Sequence, residues 1–184
     1  PNLTDRITFR DDSQPLIVKL GNHDLKPTML TTFSLQYYDQ AAPNQGQYHI
    51  SASFDYHHRD VAQSLTYDPA TGIRTYKPMN ISGAYRAHAD FSTDRNIGQQ
   101  RYWTWHVNAS ADWDHAKDHA MLAGETVSHV NTVNTLMLKT GGRIQYNKGK
   151  FNIRASSEVQ WRHSEGQMRD FDILNAFDYE YGIT

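Results

Sequence analysis

The chain has 184 residues, the size of one domain, and its 18 Lys+Arg against 20 Asp+Glu leave a formal net charge of −2. That balance gives no bulk case for nucleic acid or for an acidic membrane surface. The absence of cysteine excludes disulfides and thiol chemistry, and no run approaches the ~18 apolar residues of a spanning helix.

A barrel is not excluded, because only alternate residues of a barrel strand need be apolar, and the aromatic content of 12% suits girdles at two water interfaces. The chain opens on PNLTDRITF without the features of a signal peptide, so an exported protein is expected here as a mature or internal piece. Residues 1–27 read as irregular, with one short strand at Pro15-Leu16-Ile17-Val18-Lys19-Leu20 and a turn-rich connector from Gly21 to Pro27.

Residues 28–184 read as about seven to eight long alternating strands, near 28–39, 47–59, 80–93, 101–114, 130–146, 151–162 and 170–183. The first sets Phe33, Leu35 and Tyr37 against Thr32, Ser34, Gln36 and Tyr38. A turn at AAPNQGQ leads to the second, where Tyr48, Ile50, Ala52, Phe54 and Tyr56 oppose His49, Ser51, Ser53, Asp55 and His57. His57 and Asp60 are close enough to pair, and the plainer reading leaves them in a wet rim. Residues 60–79 form a longer excursion, with a hairpin in TYDPATGIRTYKP turning at Asp68-Pro69 and Gly72. The third strand carries Ile81, Gly83, Tyr85, Ala87, Ala89 and Phe91 on one face, and Arg86, His88 and Asp90 on the other.

The fourth strand is the most regular. Trp103, Trp105, Val107, Ala109, Ala111 and Trp113 share one face; His106, Asn108, Ser110, Asp112 and Asp114 share the other. Rings at the ends and small residues between them make the pattern of a membrane strand. His115–Ser128 reads as a second polar excursion. Its HAKDH segment, with His115, Asp118 and His119, has the i, i+4 spacing of a helical metal site but no helical context, so no metal site is expected. The fifth strand sets Leu136, Leu138 and Ile144 against Lys139 and Arg143. After the tight turn NKGK, the sixth sets Ile153, Val159 and Trp161 against Arg154, Glu158 and Arg162. The last alternates Phe171, Ile173, Phe177, Tyr179, Tyr181 and Ile183 with Asp172, Asp178 and Glu180.

Short connections alternate with long ones, the asymmetry of periplasmic turns and extracellular loops. About 13 residues at ~3.3 Å each, tilted by ~40°, cross roughly 33 Å, enough for a ~25 Å apolar band. The expected fold is therefore all-β: an antiparallel up-and-down meander forming a segment of a transmembrane β-barrel. The aromatics expected at the lipid interfaces are Tyr48, Tyr56, Tyr85, Phe91, Trp103, Trp105, Trp113 and Trp161. Facing the lumen, Arg86, His88, Asp90, His106, Asp112, Asp114, Arg143, Arg154 and Glu158 are candidates for contact with a polar solute or a plug. The plainer reading is that these charges keep the lumen wet and pair across strands. A narrow barrel would have to bury them, so a wide one is expected.

LGNHDLKP (Leu20 to Pro27), followed by a long alternating strand, resembles the GNP-x-LKPE segment of TonB-dependent receptors, which leads from an extracellular loop into a barrel strand. Thr28 replaces the acidic residue usual after LKP, and His23 the usual proline. TYDPATGIRTYKPMNISG and FDILNAFDYEYGIT look more specifically like the large outer-membrane β-barrel family related to those receptors in Gram-negative bacteria. The resemblance covers residues 3–184 and implies an internal segment of a barrel of about 22 strands. It further implies solute uptake or binding at the cell surface, outer-membrane lipid as surroundings, and as partners a plug domain and an inner-membrane energy-transducing complex. No cofactor, catalytic residue or enzymatic activity is expected. Two readings stand beside this one: a soluble β-sandwich or small barrel that binds a ligand or protein, with the faces inverted, and a membrane-embedded hydrolase. A segment with free edge strands also invites dimerisation.

Overall fold

The structure is a computed structural model that describes residues 3–7, 9–40, 46–122, 124–167 and 173–183. Residues 41–45 of the turn expected over 41–47, and Phe171 and Asp172 of the last strand, lie outside these residues. One helical turn, α1 (Leu3–Arg6), precedes ten strands: β1 (Arg10–Gln14), β2 (Ile17–Leu20), β3 (Met29–Gln40), β4 (Gln47–Tyr67), β5 (Arg74–Ile81), β6 (Ala84–Ile97), β7 (Trp103–Ala120), β8 (His129–Lys148), β9 (Phe151–Gly166) and β10 (Leu174–Ile183). All ten belong to one sheet in the order β1-β2-β5-β4-β6-β7-β8-β9-β10, with β3 also paired to β4. Every pairing is antiparallel except β2 with β5.

The registers keep the two faces apart across the whole meander. Ala52 pairs with Ala89, Ala89 with Ala111, Ala111 with Leu138, Leu138 with Trp161 and Trp161 with Phe177. One residue along each strand, Ser51 pairs with Asp90, Asp90 with Ser110, Ser110 with Lys139 and Lys139 with Gln160. A slip of one residue between any two strands would mix these rows. The tight turn after β8 helps to fix the register: Lys148 pairs with Phe151, and Gly149, with φ 59°, takes the first position of the two-residue loop.

No second layer covers either face among the described residues. Phe33, Leu35, Phe151, Phe177 and Tyr181 are 66–74% exposed, and no side chain among the described residues falls below 2%. A soluble sandwich would bury its apolar face against another sheet. This face instead needs hydrocarbon around it, and the soluble alternative does not hold. The outer edges of β3 and β10 pair with no strand, and not with each other, among the described residues.

One rim differs from what the sequence suggests. The excursion at 60–79 is largely strand rather than loop, and that at 115–128 is strand as far as Ala120, because β4 runs for 21 residues and β7 for 18. At ~3.3 Å per residue and ~40° tilt, 21 residues rise roughly 50 Å, about twice the apolar band. These strands therefore project well beyond the membrane. The third strand also starts later than residue 80: Ile81 ends β5, and Gly83 (φ 85°) turns the corner into β6, donating its N–H to His57 O at 3.0 Å. A Cβ at Gly83 would lie 2.9 Å from Lys117 Nζ. Past this corner, β4 exchanges β6 for β5, and Thr126 and Ser128 of the β7–β8 loop bond to its Tyr67 and Leu65.

Residues 1–27, expected to be irregular apart from one short strand, supply the β1–β2 hairpin, and β2 lies parallel along β5. The few buried apolar residues belong to this projecting annex and its base: Val18, Leu25, Ala62 and Ile81. The membrane strands are covered by lipid and need no core, whereas the annex sits in water and folds by ordinary apolar burial. The LKP segment is its clasp. Leu25 is only 2% exposed, Asn22 Nδ2 donates to Pro78 O at 2.8 Å, and the Asn80 carboxamide binds both Lys26 N (2.8 Å) and Lys26 O (3.0 Å).

The annex hairpin turns as its residues suggest. Asp68 accepts hydrogen bonds from Ala70 N (2.9 Å) and Thr71 Oγ1 (2.7 Å), and Gly72 adopts φ 74°. The bond from the Thr71 hydroxyl, and then that from Ala70 N–H, hold the Asp68 carboxyl below its ordinary pKa of 3.8. A depressed carboxylate favours the folded turn above the unfolded pKa and stops doing so as pH falls through the folded one. Exchange of the Gly72 amide, bonded to Asp68 O at 2.8 Å, should therefore accelerate as the pH is taken below 3.8. Asp68→Asn should remove most of that dependence, as amide hydrogen exchange would show.

Candidate functional site

The polar face runs over β3, β4, β6, β7, β8, β9 and β10. Period-2 geometry sets its side chains, so all nine lumen candidates point to the same side. Arg86 pairs with Asp114, His88 with Asp112 and His106 with Arg143 in the registers of β6, β7 and β8. Their side chains are bonded as well as aligned. His88 Nδ1 lies 2.7 Å from Asp112 Oδ1, and its Nε2 lies 3.4 Å from Asp90 Oδ1. Asp90 also accepts from Ser51 Oγ, and His49 Nδ1 lies 3.3 Å from its other oxygen. A row His49–Asp90–His88–Asp112 thus links β4, β6 and β7.

A second row lies nearer the short turns. Asp94 meets His106 Nδ1 at 2.8 Å and accepts from Gln47 Nε2 at 3.1 Å, and the Tyr38 hydroxyl donates to Gln47 Oε1 at 2.9 Å. Asp94 lies just past the strand expected near 80–93 and so is not among the candidates. The signal was there: Ser92, Asp94 and Asn96 continue the polar alternation of β6, which runs to Ile97. Elsewhere Arg86 Nε stands 3.5 Å from Asp114, Lys139 Nζ 2.8 Å from Glu158 and His57 Nδ1 3.1 Å from Asp60. These groups are half-exposed, Arg86 at 61%, so each pair is worth only ~0.2–1 kcal/mol. Of the nine candidates, Arg143 and Arg154 make no ion pair or hydrogen bond among the described residues.

The apolar face carries the eight aromatics. Tyr85 meets Trp113 edge-on (centroids 5.2 Å apart) and stacks on His115 (4.5 Å, 9°), near Phe54 and Tyr56 at the long-loop end. Trp103 packs on Tyr146 at 4.7 Å toward the short turns, where Trp105 pairs with Ile144. There Arg95 lies over the Tyr48 ring, 5.0 Å from its centroid. Between the ends, Ala52, Ala89, Ala109 and Ala111 leave a shallow apolar trough of about 640 Å³. Phe91 and Trp161 wall this trough, in register with the alanines rather than at either end.

The HAKDH segment lies in strand β7, where four residues separate His115 from His119 by roughly 13 Å. That distance is too long for one ion, and His115 Nδ1 already meets Asn134 Oδ1 at 2.6 Å.

A single lipid-facing sheet with a charged inner wall has one well-known setting. The model of the outer membrane protein beta-barrel family matches residues 1–178. The chain belongs to that family. It is an outer-membrane β-barrel protein, and its all-β antiparallel sheet is a barrel wall. No curated protein matches it, and no solved structure does. In an outer-membrane barrel in general the apolar face of the wall meets lipid and the polar face the lumen.

Proposed function

We propose that this chain forms the barrel wall of a TonB-dependent receptor-type protein that binds or takes up a polar solute at the cell surface. The observation that carries this reading is the inner wall: seven strands present charged and polar side chains to one side, half-exposed rather than packed together. A closed barrel of eight strands fills its interior with side chains. A wall this wet and this open suits a sector of a wider barrel with an aqueous lumen. The LKP clasp on β5 and the long projecting rim add to the likeness with these receptors. On this reading the projecting annex faces the outside of the cell, a plug domain occupies the lumen, and an energy-transducing complex drives transport. The chain itself performs no covalent chemistry.

The test is a cysteine scan on this cysteine-free background, in liposomes, with a water-soluble, membrane-impermeant thiol reagent. Cysteine at Ser53, Ser110 or Ser156 should label, and at Ala87, Ala109 or Ala155 it should not. Equal labelling of both sets would defeat the lumen assignment. Uptake then predicts that cells carrying the full protein accumulate a polar solute, and that deleting the protein abolishes it.

A further inference from the structure

Many charges of the inner wall are paired across strands, and among those that are not, two cations stand side by side, with Arg143 feeling the Asp94 carboxylate only at longer range. On β8 and β9, Arg143 and Arg154 have no carboxylate within 4.0 Å among the described residues, whereas Arg86, Lys139, His88 and His106 all do. They are diagonal neighbours: Arg143 pairs with Ser156, two residues along β9 from Arg154. Diagonal Cα atoms in a sheet lie roughly 7–8 Å apart, within reach of one shared ligand for two long side chains.

Both arginines line a polar notch of about 410 Å³ whose floor is made of small residues, Gly141, Ser156 and Gly182. That volume lies within the usual range of small-molecule sites. The floor is kept small on one side by Asn108: a Cβ at Gly141 would lie 2.8 Å from its Oδ1. The far end is acidic. Glu158 is already neutralised by Lys139 at 2.8 Å, which leaves Glu180 as the notch's other carboxylate. The pairings place Arg154 and Glu158 four residues apart on β9, and Glu158 opposite Glu180. Arg154 is therefore roughly 13 Å along the strands from the acidic end, and Arg143, level with Ser156, roughly 7 Å from it.

We infer that this notch is the solute-binding site of the inner wall, and that it takes a small hydroxyl-bearing carboxylate or phosphate. The anion sits between the Arg143 and Arg154 guanidinium groups, whose planar forks suit oxyanions. The hydroxyls run toward Asn108, Ser156 and Glu180. The inference rests on the lumen reading above, and the experiment separates the two.

Equilibrium dialysis of the full chain in detergent micelles would use radiolabelled glucuronate as probe, with glucose as its neutral counterpart. Saturable binding of glucuronate and none of glucose is expected. Arg143→Gln and Arg154→Gln should each weaken it about tenfold or more, the loss expected for a charge-assisted bond. Arg86→Gln, outside the notch, should leave it unchanged. Arg143→Lys and Arg154→Lys keep the charge but not the fork, so intermediate affinity is expected, and they serve if a glutamine variant misfolds. Competition by inorganic phosphate would extend the site to oxyanions in general. Equal binding of glucose, no saturable binding, or indifference to all four variants of Arg143 and Arg154 overturns the inference. If Ser156→Cys still labels with the water-soluble reagent, the lumen reading survives that failure. If it does not label, both fall together.

Discussion

Arginine at position 111 should destabilise the sheet in lipid by about 2–4 kcal/mol, while arginine at position 110 should change little. The two residues are neighbours in β7. Ala111 lies in the outward trough between Ala89 and Leu138, and Ser110 lies inward between Asp90 and Lys139. Outside, a guanidinium must enter hydrocarbon near mid-height, with only a shallow trough to hide in. Inside, it meets water and the Asp90 carboxylate. Reversible unfolding of Ala111→Arg and Ser110→Arg from phospholipid vesicles, read by tryptophan fluorescence, measures the difference. Equal costs for the two variants would mean that the faces do not meet different solvents, and the barrel reading would lose its physical basis.

The second large effect is expected far from the lipid. Leu25→Ala should cost the annex about 2–5 kcal/mol, the range for deleting most of a well-buried leucine side chain. Leu25 is 2% exposed and sits in the clasp that Asn22 and Asn80 tie to β5. Leu16, 56% exposed in the same annex, is the control and should fall within about ±0.5 kcal/mol on truncation. Because the membrane strands are held by lipid and by their own ladders, the loss should stay local. Limited proteolysis should cut Leu25→Ala within residues 10–28 and spare β6 to β9. Global unfolding of the variant would show instead that the annex and the membrane wall form one cooperative unit.

Each effect falls on a different side of the boundary between what alternation encodes and what pairing decides. Alternation is local: the backbone of an extended strand turns successive side chains to opposite faces whatever lies beside it. So the assignment of Trp103, Trp105 and Trp113 to one face and of His106, Asp112 and Asp114 to the other could be read along the chain, as could the turns at Gly72 and Gly149. The extent of β4 and β7 could not. Residues 60–67 and 115–120 are mixed in polarity because they leave the membrane, and they remain strands because β5 and β8 supply backbone partners there.

Nor could the sequence say which charge meets which. His88 reaches Asp112, twenty-four residues away, because the β6–β7 turn sets that register; a different turn would bring it another partner. Leu25 has no periodic pattern around it, and its burial exists only once β5 and the clasp have come together. The same holds for Arg143 and Arg154. In the sequence they are two cations among eighteen. Only the pairing of β8 with β9 and β10 sets them side by side over Gly141, Ser156 and Gly182, with no carboxylate within 4.0 Å among the described residues. Face is a property of one strand, whereas register and charge partner belong to two, and those are fixed by turn geometry and by hydrogen bonds between segments distant in the chain.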